Sequence, residues 1–170
     1  MKLTTADRII AAAETRIRTG GYNSFSFRDI AKDTGLTNAG VHHYFPAKAD
    51  LAARVAQDYT ARFVAALDDT PPKARVAKLR DLFSESVRQD GRMCLCGLLA
   101  SESGGLPDPV AEAARGFFTE LAVRLEPAFP DAEDSHTEAL RILALLEGAV
   151  LVAFSLSDAQ LFGRLTASLT

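Results

Sequence analysis

Between Thr37 and Lys48 the chain sets two hydroxyl-bearing residues, a carboxamide, two imidazoles and an ammonium within twelve positions, and none of the twelve is a carboxylate. The groups are those of Thr37, Asn38, His42, His43, Tyr44 and Lys48, with Ala39 and Gly40 leaving room beside them. Such side chains donate to phosphate oxygens and read base edges, and a stretch without acids does not repel a phosphate backbone. Arg28 adds a guanidinium a few residues upstream. Other chemistries fail on spacing. His42 and His43 are neighbours instead of one helical turn apart, so they do not make a paired metal face. Ser101-Glu102-Ser103 has no glycine elbow around it, and no glycine-rich phosphate cradle follows a strand pattern. No enzyme, metal site or cofactor is expected.

The elements that must carry these groups are short helices. Ser26 can cap a helix whose third residue is Asp29, with Phe27, Ile30 and Ala31 on one face. Gly35 comes where a left-handed residue ends that helix, Leu36 supplies a buried plug, and Thr37 can cap a second helix through Val41 and Tyr44-Phe45. Two short helices joined by so tight a turn make a helix-turn-helix over about residues 27–46. The first residues of its second helix reach base edges. Gly40 inside that helix costs roughly 1 kcal/mol against alanine, which a close approach of backbone to DNA would explain. Upstream, Leu3, Ala6, Ile10, Ala13 and Ile17 recur at helical spacing and stop at Gly20-Gly21. Downstream, Leu51, Val55, Tyr59, Phe63 and Leu67 step by four along one long helix that ends before Pro71-Pro72.

The order Gly35-Leu36-Thr37, three variable positions, Val41, an aromatic cluster ending in Phe45, then Lys48-x-x-Leu51 resembles the amino-terminal domain of TetR-family transcriptional regulators. The resemblance covers about Thr4 to Val64 and is most specific from Ile30 to Leu51. It implies a DNA-binding domain over 4–64 in which Thr37, Asn38, Gly40, His42, His43, Tyr44 and Lys48 face DNA, while Ile30, Ala31, Leu36, Val41, Phe45 and Leu51 hold three helices together. Two positions depart from the family pattern. His42 stands where tyrosine is frequent, and Ala47 stands where serine or glycine more often caps the next helix.

The remainder, 73–170, reads as helices only. Val76, Leu79, Phe83 and Val87 mark one, ending near Asp90-Gly91, and Met93 to Ser101 a short apolar one. A helix from Val110 to Leu125 carries Phe117, Phe118 and Leu121. The helix from about Ser135 to Phe154 is apolar nearly all round, so more than one face must be covered, most simply by a second copy of the chain. Leu140, Leu143, Leu146, Val150, Leu151 and Phe154, with Leu161 and Leu165 of the last helix, are the expected dimer interface, which the resemblance places in a four-helix seam. Phe83, Leu98, Phe117, Phe118 and Leu121 can line a ligand pocket or simply form core, and Cys94 and Glu147 are candidates beside them. Glu147 is either hydrogen-bonded at the seam or reads a polar group of a ligand. Cys94 and Cys96 point to different faces of a helix, which disfavours a disulfide between them, and a zinc site lacks partners. They are either small buried side chains or, with Arg92 as the activating cation, a sensor of oxidants or electrophiles.

The resulting expectation is an all-α protein: a three-helix reading head joined by a long helix to a ligand-sensing and dimerisation body. It would be a cytoplasmic repressor that binds a palindromic operator as a homodimer and is released by a small-molecule inducer. Charge is distributed to suit. Residues 1–60 hold eight basic and six acidic side chains, a net of +2, which leaves −5 for the remainder of a chain whose total is −3. A mildly basic head on an acidic body fits DNA contact by one end of the molecule. At 170 residues and 48% hydrophobic content the chain can bury one sizeable core or two small ones. No apolar run is long enough to span a bilayer, and the first residues lack a signal-peptide core. The competing class is a helical protein-binding adaptor, which would show an exposed apolar anchor row where this chain has polar groups.

Overall fold

The computed structural model describes residues 3–90 and 92–169, the side chains of 89, 90 and 103 excepted. Gly91, where one helix was expected to stop, lies outside the described residues. Helices α1 (Thr5–Gly20), α2 (Phe27–Thr34), α3 (Asn38–Tyr44) and α4 (Lys48–Asp68) come first. They are followed by α5 (Arg75–Asp90), α6 (Leu95–Ser101), α7 (Asp108–Leu125), α8 (Ser135–Ser155) and α9 (Ala159–Leu165), and the described residues contain no strand. None of these helices is long and apolar enough to cross a membrane.

Local signals set the boundaries. Thr4 caps α1 and Ser26 caps α2, each in a reciprocal box whose other half is the third helical residue, Asp7 or Asp29. The hydrogen bonds from Thr4 and Ser26 hold both carboxyls below their ordinary range. Gly35 ends α2 at φ 69°, ψ 22°, a left-handed conformation that L side chains enter only under strain. Thr37 then caps α3 by accepting from the Gly40 N–H at 3.0 Å. Ala47 has no side-chain acceptor to offer α4, but Asp50 accepts its N–H at 3.0 Å, so half of the box survives. Asp134 and Asp158 cap α8 and α9.

The chain divides into two compact units. One comprises Met1–Tyr59 and Leu95–Arg115, the other Thr60–Cys94 and Gly116–Thr170. The unit that holds the head therefore also takes Leu95–Arg115, from the stretch expected to form the body. Its core is built from Ile9, Ile17, Ile30, Val41 and Leu51, all without solvent contact, and α6 packs on α1. Arg16 clamps α1 to α2 through a two-pronged pair with Asp33, at 2.5 and 3.0 Å. Arg8 reaches the last turn of α2 by donating to the Thr34 carbonyl. In the second unit Phe63, Phe83 and Phe117 stack edge to face, with Phe63 5.6 Å from Phe83 and 5.3 Å from Phe117. Leu67, Leu79, Leu121 and Leu146 are fully buried there.

Candidate nucleic-acid interface

The helix α3 has one anchored side. Val41 is fully buried, and Phe45, just past its end, is nearly so. Everything else on it faces outward: Asn38, Ala39, His42, His43 and Tyr44 are exposed, Thr37 is exposed at the cap, and Gly40 is half-buried. Arg28, at the start of α2, is exposed too. The resulting face is polar and carries no acid in its first turn.

Individual groups are held in place. The Thr37 hydroxyl is engaged as cap acceptor, which leaves its O–H free to donate. A β-carbon on Gly40 would stand 3.2 Å from that oxygen, so the glycine has a local reason as well as any that DNA supplies. The His42 ring packs edge-on against Phe27 at 4.5 Å, with Nδ1 3.4 Å from the Pro46 carbonyl. When Nδ1–H serves that carbonyl, only the imidazolium has a second N–H for a phosphate. His43 and Tyr44 support one another edge to face at 5.3 Å.

Lys48, expected to face DNA, has a more elaborate setting. Its ammonium sits 4.3 Å above the Tyr22 ring and 4.7 Å above that of Phe25. Withdrawal from water pushes its pKa down, and the charges of Glu102 and Asp29 push back. Glu102 itself accepts the Tyr22 N–H at 3.0 Å. Nothing in the local pattern around residue 102 signals this contact; the nearest sequence cue is the second glycine of Gly20-Gly21.

The other expected sites divide. Phe83, Cys94, Phe117 and Leu121 are buried, whereas Phe118 and Glu147 are half-buried. Leu98, also half-buried, belongs to α6 in the other unit. Oε1 of Glu147 is enclosed and has no hydrogen-bond partner. Burial pushes this carboxyl up to about 7, against a hydrogen bond from Cys94 that lowers it. That bond gives Cys94 a carboxyl neighbour, the opposite of the cation a sensing thiolate needs. A cavity of about 360 Å³ in the same unit is lined by other residues, among them Val87, Arg92, Val150 and Phe154.

Of the expected seam, Leu140, Leu151, Phe154 and Leu165 are exposed and Leu161 is half-buried. Leu143, Leu146 and Val150 are already covered within the chain. For Leu140 and Leu151 the reason is helical phase. At 100° per residue Leu140, Ala144, Gly148 and Leu151 share a stripe flanked by Leu145 and Val152, and the three covered residues lie on the opposite arc.

A family model described as bacterial regulatory proteins, tetR family, matches residues 9–55. Among solved structures, a TetR transcriptional regulator from Legionella pneumophila is 30% identical, with a TM-score of 0.89 and 100% of both chains covered. A TetR-family regulator from Agrobacterium tumefaciens is also 30% identical, with a TM-score of 0.87 over 96% of this chain and 94% of that one. The regulatory protein TetR from Rhodobacter sphaeroides is 25% identical, with a TM-score of 0.84 over 97% and 96%. A search of curated protein sequences gives no match. With an acid-free reading helix on a capped turn, and relatives 30% identical over nearly the whole chain, this protein belongs to the TetR family of transcriptional regulators and carries its DNA-binding helix-turn-helix.

Proposed function

We propose that the protein is a ligand-responsive repressor: a homodimer whose two α3 helices occupy successive major grooves of a near-palindromic operator until a small-molecule inducer releases them. The observation that carries this reading is the outward face of α3, where Thr37, Asn38, Ala39, His42, His43 and Tyr44 are exposed together and no carboxylate accompanies them. A protein-binding helix would expose an apolar row at that place. Two readers related by a two-fold axis require half-sites about one helical turn, roughly 34–36 Å, or a multiple apart. Occlusion of a promoter needs nothing further from such a dimer. An inducer acts by binding better to the form whose heads do not fit that spacing, and it shifts the population by no more than its differential affinity. The cavity of about 360 Å³ in the second unit, and the enclosed, unpartnered oxygen of Glu147 in that same unit, support small-molecule sensing there.

The test is selection of bound duplexes from a random pool, followed by titration of the enriched site. Asn38→Ala should weaken that site by about 1–3 kcal/mol while leaving random duplex unchanged. Arg28→Ala should weaken both and reduce the slope of log affinity against log salt by about 0.9. No enriched sequence, or an enriched site without two-fold repetition, would refute the reading.

A further inference from the structure

Outside the reading face, the most developed polar arrangement joins three stretches of the head unit that are far apart in sequence. Glu102, just beyond α6, is half-buried and brings its carboxylate to the α1–α2 connection, where Oε2 accepts the Tyr22 N–H at 3.0 Å. Gly21 makes room for it. A β-carbon there would stand 1.7 Å from Oε1, and the glycine's φ of +76° is unfavourable for other residues. The Tyr22 ring and that of Phe25 form the seat for the Lys48 ammonium, at 4.3 and 4.7 Å. A cation drawn out of water needs compensation, and it receives two ring faces and the field of Glu102.

We propose that Glu102 is a positioning residue: by fixing Tyr22 and attracting Lys48 it latches the end of α6 to the first residue of α4, and Lys48 serves this latch instead of a DNA phosphate. Three residues separate Lys48 from the end of the reading helix at Tyr44, and one of them, Phe45, is packed into the core. The latch thereby holds the start of α4 and, through Phe45, the end of α3 in place. The proposal rests on the DNA-binding reading above and adds a residue outside the helix-turn-helix that supports it.

The test uses the full chain and the selected operator, with fluorescence anisotropy between about 50 and 200 mM salt. Glu102→Gln retains an acceptor for Tyr22 but loses the charge, and Lys48→Met loses the cation. Each is expected to lower operator affinity about five- to tenfold with the salt slope unchanged. The double variant should lose no more than the worse single, because both break one latch. Lys48→Arg, whose guanidinium also stacks on rings, should restore affinity. A Lys48→Met slope smaller by about 0.9 would show a direct phosphate contact and overturn the proposal. Losses that multiply in the double variant, or singles indistinguishable from wild type, would overturn it equally. Should wild type bind no duplex at all, the function itself fails, and the latch is judged separately by denaturant unfolding of wild type, the two charge-removing singles and their double variant, where strictly additive losses refute it.

Discussion

At the scale of single residues, Glu147 carries a consequence that can be measured without knowing any ligand. Its carboxyl is enclosed, Oε1 has no partner, and burial raises its pKa from 4.5 to about 7. The folded state therefore holds a proton that the unfolded chain releases between those values. Stability from this group is fully present below about pH 4.5 and declines as pH rises toward 7, by about 3 kcal/mol at most. Glu147→Gln cannot titrate, so the variant should lose that part of the pH dependence and gain on wild type at pH 8 relative to pH 5. Urea midpoints at the two pH values check this, and parallel curves for the two proteins would show that the carboxyl ionises normally. The sequence marked Glu147 as unusual because an acid stands alone among apolar residues. It could not show the Cys94 contact, since 53 positions separate the pair and neither has a pattern pointing to the other.

At the scale of elements, the helix-turn-helix was legible because its determinants are local. Ser26, Asp29, Gly35 and Thr37 act within four residues of themselves through caps and one left-handed turn, so their spacing alone places α2 and α3 to within a residue. The same locality makes the recognition helix vulnerable at its cap. Thr37→Ala removes the acceptor of the Gly40 N–H and should cost about 1 kcal/mol of stability, with a larger proportional loss of operator affinity, because α3 has only seven residues to hold its form. Circular dichroism melts beside anisotropy titrations separate the two effects. A normal affinity in Thr37→Ala would mean that DNA itself orders α3. The Glu102 contact was illegible for the complementary reason: Tyr22 and Glu102 stand 80 positions apart, and a long-range hydrogen bond leaves no periodicity. Helix α8 was legible only in part. A helix apolar on most of its circumference does not reveal which arc the chain itself covers, so Leu143, Leu146 and Val150 could not be told from the exposed stripe.

At the scale of the whole molecule, that outer stripe is the best-defined surface for a second copy. Leu151 is 56% exposed and Val152 42%, on the arc that also carries Leu140, Leu145, Ala144 and Gly148. A β-carbon at Gly148 would meet nothing within 4 Å, so the helix there presents bare backbone to whatever approaches. Apolar side chains bordering two small residues allow a partner helix to come close, and Leu156 and Leu165, beyond α8, are exposed as well. A charge at the centre of this surface leaves the protomer's own core intact, because Leu151 takes no part in it. If wild type dimerises as proposed, Leu151→Glu should therefore yield a folded monomer by light scattering at the same concentration, with little change in helical content. Its affinity for the palindromic site should fall to that of a single half-site, since one reader touches too few bases. A Leu143→Ala control should behave oppositely, losing about 2–5 kcal/mol of stability while the folded fraction stays dimeric. Were Leu151→Glu to remain a dimer and Leu143→Ala to dissociate, the seam would lie on the inner arc and the orientation of α8 would have to be reversed.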